Sequence, residues 1–304
     1  MIRLAALLCV AAATACSPSG DPSRVRAALD RRAAEVAARA ASADSAARAG
    51  RRSDQPIAQW VLPARYAEIS GIALTEDGRL LAHGDERAEI WEIDFRRGVV
   101  TKAFGLGQPP VQGDFEAMTM ADGKLYLLDS DGRIYESTEG KDNETVAYNE
   151  YDTRLTKECE FEGLTFDPVS RSLVLACKHV RREAPPNALV LYRWPLPGTD
   201  SERAAPVPIV IPIARFNELG QTWKKFEASD IARDPRTGTF IVISSLQQAM
   251  AEITLDGRVL HAGRIPGRHL MPEGVAVTVD GRLIISDEAN GQRPVLTVYP
   301  SPFP

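Results

Sequence analysis

Three glutamates stand at corresponding points of a recurring pattern, and their type and spacing define the chemistry this chain can offer. They are Glu116 in Glu116-Ala117-Met118, Glu162 in Glu162-Gly163-Leu164 and Glu273 in Glu273-Gly274-Val275. Ser70 and Ser229 hold the same place in Ser70-Gly71-Ile72 and Ser229-Asp230-Ile231. If the five copies surround one axis, three carboxylates converge in a narrow space, where they repel one another unless protons or a cation neutralise them. Carboxylate and hydroxyl oxygens suit a hard ion, and calcium takes about six to eight oxygens in flexible geometry. Glu116, Glu162 and Glu273 are therefore the candidate metal ligands, and calcium is the expected cofactor. Glu68, Ser70, Asp85, Asp129, Ser229, Asp230 and Asp287 are further oxygen donors for the metal or the channel. The competing account of the same ring is hydrogen bonding to neighbouring amides and to water.

Other chemistries find less support. No cysteine or histidine pair has zinc-ligand spacing, and no nucleophile elbow, phosphate loop or dinucleotide fingerprint appears in the context it needs. His83 and His179 end second strands near the channel mouth, where a histidine beside a calcium-bound water would serve as general base in lactone or ester hydrolysis. A structural role is the ordinary one for such a residue. Cys159 and Cys177 flank one hairpin and are either a disulfide or a buried reduced pair. The four tryptophans, Trp60, Trp91, Trp194 and Trp223, suit packing between sheets.

The elements that must position these groups are strands. Measured at the apolar residue that follows the small one (72, 118, 164, 231 and 275), the copies are 46, 46, 67 and 44 residues apart. A period in the forties is that of propeller blades. In the first copy, Ile69 to Thr75, Arg79 to His83, Glu89 to Asp94 and Val99 to Phe104 form a four-strand meander. Asp77-Gly78, Asp122-Gly123 and Asp280-Gly281 mark first hairpins, where Asp-Gly tolerates positive φ. The long step is explained by loops rich in proline and charge, Arg181 to Asn187 and Pro197 to Pro206. The last copy has three clear strands, and Ile57 to Leu62, which precedes the first copy, supplies the fourth and closes the ring. The expected fold is all-β, a five-bladed β-propeller of four-stranded antiparallel blades, with six blades as the alternative.

Glu68-Ile69-Ser70-Gly71-Ile72, Asp114-Phe115-Glu116-Ala117-Met118, Glu160-Phe161-Glu162-Gly163-Leu164 and Met271-Pro272-Glu273-Gly274-Val275 resemble the blade motifs of the SdiA-regulated, YjiK-like family, across essentially all of residues 57–304. That resemblance implies a five-bladed propeller, distantly similar to NHL-repeat propellers, with a calcium site and no established activity. Ala117 in place of the usual glycine and Asp230 in the fourth copy depart from the pattern.

The N-terminal end speaks to location. Arg3 precedes an apolar run, Leu4 to Ala13, in the order of a secretory signal, and the run is short for a bilayer span. Ala13-Thr14-Ala15-Cys16 resembles a bacterial lipobox, with Cys16 as the lipidated residue; an Ala-x-Ala cleavage site is the alternative. Ser17 after that cysteine favours the outer membrane by the same resemblance. Residues 1–16 are thus expected to be a lipoprotein signal, and residues 17–56 an Ala/Arg-rich tether, partly helical or disordered. The tether holds eight arginines against five acids, net +3, and has almost no large apolar residue to bury. Residues 57–304 form the propeller domain, with net charge −9, which attracts cations and disfavours nucleic acid. Together these features predict a periplasmic, outer-membrane lipoprotein of a Gram-negative bacterium. Its expected partners are a divalent cation and an envelope protein or small ligand, with membrane contact through the lipid anchor only. The expected function is a calcium-binding scaffold, and the alternative is a calcium-dependent lactone or ester hydrolase.

Overall fold

The computed structural model describes residues 22–49, 54–181, 187–196, 205–301 and 303. The signal segment and Cys16 lie outside the described residues, as does most of the two proline-rich loops.

Helix α1 (Pro22–Arg48) precedes strand β1 (Ala58–Val61). Blade one follows as β2 (Ile69–Leu74), β3 (Leu80–Gly84), β4 (Glu89–Asp94) and β5 (Val99–Leu106). Blade two contains β6 (Phe115–Ala121), β7 (Lys124–Asp129), β8 (Arg133–Thr138) and, outermost, β10 (Tyr148–Asp152). The short β9 (Thr145–Val146) between them runs parallel to β5 and joins its sheet. Blade three is β11 (Cys159–Asp167), β12 (Ser172–Val180), β13 (Ala188–Pro195) and β14 (Val207–Pro212), trailed by the one-turn α2 (Ile213–Asn217). Blade four is β15 (Asp230–Arg233), β16 (Phe240–Ser244), β17 (Ala249–Ile253) and β18 (Val259–Arg264). Blade five is β19 (Pro272–Val277), β20 (Leu283–Asp287) and β21 (Val295–Tyr299), with β1 pairing antiparallel to β21 as its fourth strand. The fold is a five-bladed β-propeller, and the N-terminal strand closes the ring as the sequence predicts. The 67-residue step holds long strands, α2 and loops, with no sixth sheet among the described residues.

Strand alternation builds the core. Leu173 and Leu175 of β12 face the cluster shared with blade two, whereas Val174 and Ala176 face the one shared with blade four. Apolar side chains on both faces are what a sheet buried between two others requires. Five such clusters fill the five clefts between blades. Trp91 and Trp194 lie within them, and Trp60 and Trp223 pack at their margins. The first-hairpin turns are less uniform than the shared Asp-Gly suggests. Both residues of Asp122-Gly123 have positive φ (49° and 75°), whereas at positions 77–78 and 280–281 only the glycine does.

The stretch expected as a tether, partly helical or disordered, is over residues 22–48 a helix lying against the propeller. Val36 and Ala40 are buried in the cluster between blades five and one. Asp30 pairs with Arg97 at 3.0 Å and Asp44 with Arg282 at 3.2 Å. Small side chains suffice for this docking because the surface they cover is itself apolar.

Candidate functional site

The inner strands β2, β6, β11, β15 and β19 surround the axis, each touching its two neighbours. At the end where these strands begin, each ring residue is squeezed out of its ladder. Ile69 pairs with Gly84 and Gly71 with His83, which leaves Ser70 unpaired as the extra residue of a β-bulge. The same irregularity frees Glu116 between Phe115 and Ala117, Glu162 between Phe161 and Gly163, and Glu273 between Pro272 and Gly274. In blade four, Ser229 donates its amide to Ile243 O (2.9 Å) while Asp230 pairs with the same Ile243. Bulges re-aim side chains, and here they turn one polar side chain per blade towards the mouth.

A second ring follows from the same registers: the residue just after each strand-two partner. These are Asp85, Ser130, Lys178 and Glu288, with Ser245 in the fourth blade. Asp85 O accepts from Phe115 N (2.8 Å) and Ser130 O from Phe161 N (2.9 Å), so the two residues hold equivalent places against the next blade. Ser245 N donates to Ser229 Oγ at 3.1 Å. Of the further oxygen donors expected from the sequence, Asp85 lies in this ring, whereas Asp129 and Asp287 are one residue early. A one-residue offset along a strand reverses the side chain. Asp129 instead accepts from the amides of Asp131 (3.1 Å) and Arg133 (2.8 Å) in its own turn. Asp287 pairs with His269 Nδ1 (2.6 Å) and accepts from the amides of Leu270 (2.9 Å) and Met271 (3.2 Å).

Lys178, which the sequence reading passed over, is the cation of the site. It forms an ion pair with Glu162 and also interacts with Glu273 and Glu116. Burial acts to lower its pKa, but the contact with Glu162 and the charges of the other two carboxylates outweigh that and raise it. Burial, then the negative charge of Glu162, lifts Glu116 to about 9. Burial and Glu162 likewise lift Glu273 to about 8, against the pull of Lys178. Burial pushes Glu162 up as well, and the bond to Lys178 opposes it. Ser70 Oγ stands 3.4 Å from Glu116 Oε2. The outer approach is acidic too: Glu68 is exposed and raised first by the charge of Asp85, Asp85 is raised by burial, and Glu288 is raised by burial, Asp85 and Glu68.

Asp230 occupies the slot that is Gly71, Ala117, Gly163 and Gly274 elsewhere. That slot faces the neighbouring inner strand so closely that a Cβ on Gly163 would lie 3.0 Å from Ile231 N. In blade four the carboxylate uses the proximity. Asp230 Oδ2 accepts from Val275 N of blade five and Oδ1 from its own Ile231 N, both at 2.7 Å, and the Leu164 amide of blade three is a third donor. Inner-strand edges have no further strand to pair with, so Asp230 serves as an acceptor for three of them. Burial raises its pKa well above the usual carboxylate value, with the amides opposing. Ser229 Oγ donates to Pro272 O at 2.8 Å and ties the same two blades.

The histidines do not reach the cluster as bases. His83 is fully buried with Nδ1 on Gly84 O (3.0 Å), and burial lowers its pKa to about 4. His179 bridges Glu160 (3.3 Å) and Glu227 (3.2 Å) on the rim. Cys159 and Cys177 form a disulfide, with Cα atoms 5.7 Å apart, at the root of the hairpin that carries Glu162 and Lys178.

No family model and no curated protein matches the sequence. Solved structures similar to it include the PQQ-bound aldose sugar dehydrogenase of Streptomyces coelicolor, at 14% identity and TM-score 0.53 over 81% of this chain and 97% of that one. Glutaminyl cyclase of Myxococcus xanthus is similar at 12% identity and TM-score 0.51, over 80% and 94% of the respective chains. At such identities the likeness shows the fold alone, and that fold is the propeller.

Proposed function

We propose that this chain is an exported binding propeller, lipid-anchored at Cys16 in the periplasm and akin to the SdiA-regulated, YjiK-like propellers, whose acidic mouth takes up calcium. The observation that carries the reading is charge. Three carboxylates, the buried Glu162 and the half-buried Glu116 and Glu273, share the field of one ammonium, Lys178. Full ionisation leaves two uncompensated negative charges; two protons balance them in the metal-free protein, and one divalent ion would balance them instead. The donors fit a hard cation in type and charge. They fall short in number, since among the described residues no three His, Cys, Asp or Glu side chains stand close enough to share an ion. Glu116 and Glu273 are the residues that would hold it, with hydroxyl or water oxygens completing the shell and Lys178 staying on Glu162. The histidine base of the hydrolase alternative is less favoured, because His83 is buried and His179 is held between two acids.

Because the ion replaces protons, calorimetric titration with CaCl2 in buffers of different ionisation heat should show about one to two protons released per ion, with affinity rising from pH 6 to pH 8.5. The double variant Glu116→Gln/Glu273→Gln should lose both signals while keeping its fold. Absence of heat and of any thermal shift at millimolar calcium would sink the reading. Turnover on a lactone or ester panel that disappears with the metal would replace it with the hydrolase.

A further inference from the structure

The opposite mouth of the channel is chemically unlike the acidic one. There the far ends of the inner strands, with Met118, Met120, Phe166 and Val277 among the lining side chains, surround a chamber of about 470 Å³ roofed by α1. The helix presents a stripe of small apolar residues at helical spacing, Leu29, Ala33, Val36, Ala40 and Ala43. Its two ion pairs, through Asp30 and Asp44, lie towards either end of this stripe. Between them the alanine face is too short to fill the channel, so a hollow remains under the middle of the helix. Ala37 lines that hollow and is also exposed, so the chamber opens beside the helix. Volumes of roughly 300–1,000 Å³ with mostly apolar walls and a few placed polar groups are those of small-molecule sites, and water gains few partners against such walls.

The charged groups lining the chamber are Arg96, Arg233 and Arg282 against Glu76 and Asp280, an excess of one positive charge that selects the ligand. Arg233 is engaged by Asp167 (3.3 Å), and Arg282 by Asp44 and Asp280 (3.2 and 3.1 Å). Arg96 lines the chamber with its guanidinium 5.5 Å from the Phe95 ring centre, exposed and without a carboxylate partner among the described residues. An apolar chamber beside an uncommitted guanidinium is complementary to a hydrocarbon chain that ends in an anion. We propose that the space beneath α1 is a binding site for a long-chain carboxylate, its tail in the chamber and its head on Arg96, with α1 as the lid. The acidic mouth would repel such a ligand, so the two ends of one channel serve ligands of opposite charge. The site is independent of calcium uptake.

The full-length chain titrated with 11-(dansylamino)undecanoic acid should give saturable, blue-shifted fluorescence that palmitate displaces. Palmitate should compete about tenfold better than its methyl ester, and Arg96→Ala should remove that difference while leaving competition by the ester unchanged. Ala37→Trp, which fills the chamber from the roof, should weaken the probe at least tenfold; Met120→Trp does the same from the wall if the helical variant is unstable. The proposal is overturned by non-saturable fluorescence, by full binding in folded filling variants, or by equal competition from acid and ester. Chelation with EDTA should leave the titration unchanged, and a loss of binding on chelation would place the probe at the acidic mouth instead.

Discussion

The two mouths of the channel are made from the same five strands, yet one gathers its ionisable groups on the inner strands themselves and the other has a mainly apolar wall with charged groups at its rim. At the acidic mouth each inner strand carries a bulge or its equivalent, and the extra residue is Ser, Glu, Glu, Ser or Glu. At the other mouth the ladders run in regular register, side chains alternate into the inter-blade clefts, and the residues left facing the axis are mainly apolar. Polar chemistry thus enters this propeller where the ladder is locally broken. Between the mouths sits Asp230, which lets a strand edge that no partner covers be satisfied inside the protein.

The largest effect is expected at that junction. Asp230→Ala strands the amides of Val275 and Ile231 and leaves the Leu164 amide short of its acceptor. Unsatisfied buried donors cost about 1–3 kcal/mol each, so a total loss of about 3 kcal/mol or more should appear in urea denaturation. Asp230→Asn keeps one of the two acceptor oxygens and sets an NH2 donor in place of the other, so it should lose part of this stability but less than Asp230→Ala. Equal losses for the two variants would show that the single remaining acceptor holds none of the amides, and no loss in either would remove Asp230 from the junction.

A second, pH-dependent effect separates the acidic mouth from the rest. Glu116 and Glu273 keep their protons to about 9 and 8 in the folded state, whereas the unfolded chain releases them near 4.5. Between these limits the folded form binds more protons, so stability present at low pH declines as pH rises from about 4.5 towards 9. Glu116→Gln should flatten this decline. Its melting temperature should match the wild type near pH 5 and exceed it by about 10 °C or more at pH 9, since each pKa unit of the rise from 4.5 to about 9 corresponds to about 1.4 kcal/mol and a domain of this size gains about 2–4 °C per kcal/mol. Parallel curves for the two proteins would mean that Glu116 is ionised throughout.

The blades themselves were legible in the sequence, because hydrophobic period and turn residues are local signals that the fold obeys. Ring closure by residues 58–61 was legible as well, since the last copy lacks a strand and the first is preceded by one. The bulges were not, because an inserted residue changes register without changing hydropathy. Without them Asp129 and Asp287 count as oxygen donors alongside Asp85, and Lys178 stays concealed. The registers Glu160 with His179 and Phe161 with Cys177 pass over Lys178, just as the next step passes over Glu162, and such a double slip is visible only once the strands are paired. Asp230 was noticed as a departure from glycine, but its role depends on Leu164 and Val275, which come from two other blades. The docking of α1, in a stretch read as partly helical, was hidden for a different reason: its alanine face suits a solvated helix as well as a docked one, and only the apolar mouth beneath it decides between them.

The smallest effect should be on α1, which tests whether the apolar mouth is a lidded surface distinct from the propeller core. Val36 is 9% exposed and packs with residues of blades one and five, while most of α1 is open to solvent. Val36→Asp places a charge in that contact and should release the helix, with loss of amide protection confined to residues 22–48 in hydrogen exchange. The blades have their own five clusters, so the main melting transition should move by no more than about 2 °C, given that a surface contact is worth about 1 kcal/mol. A large drop in that transition would make α1 part of the core. Unchanged protection in the helix would show that the ion pairs to Arg97 and Arg282 hold it down without Val36.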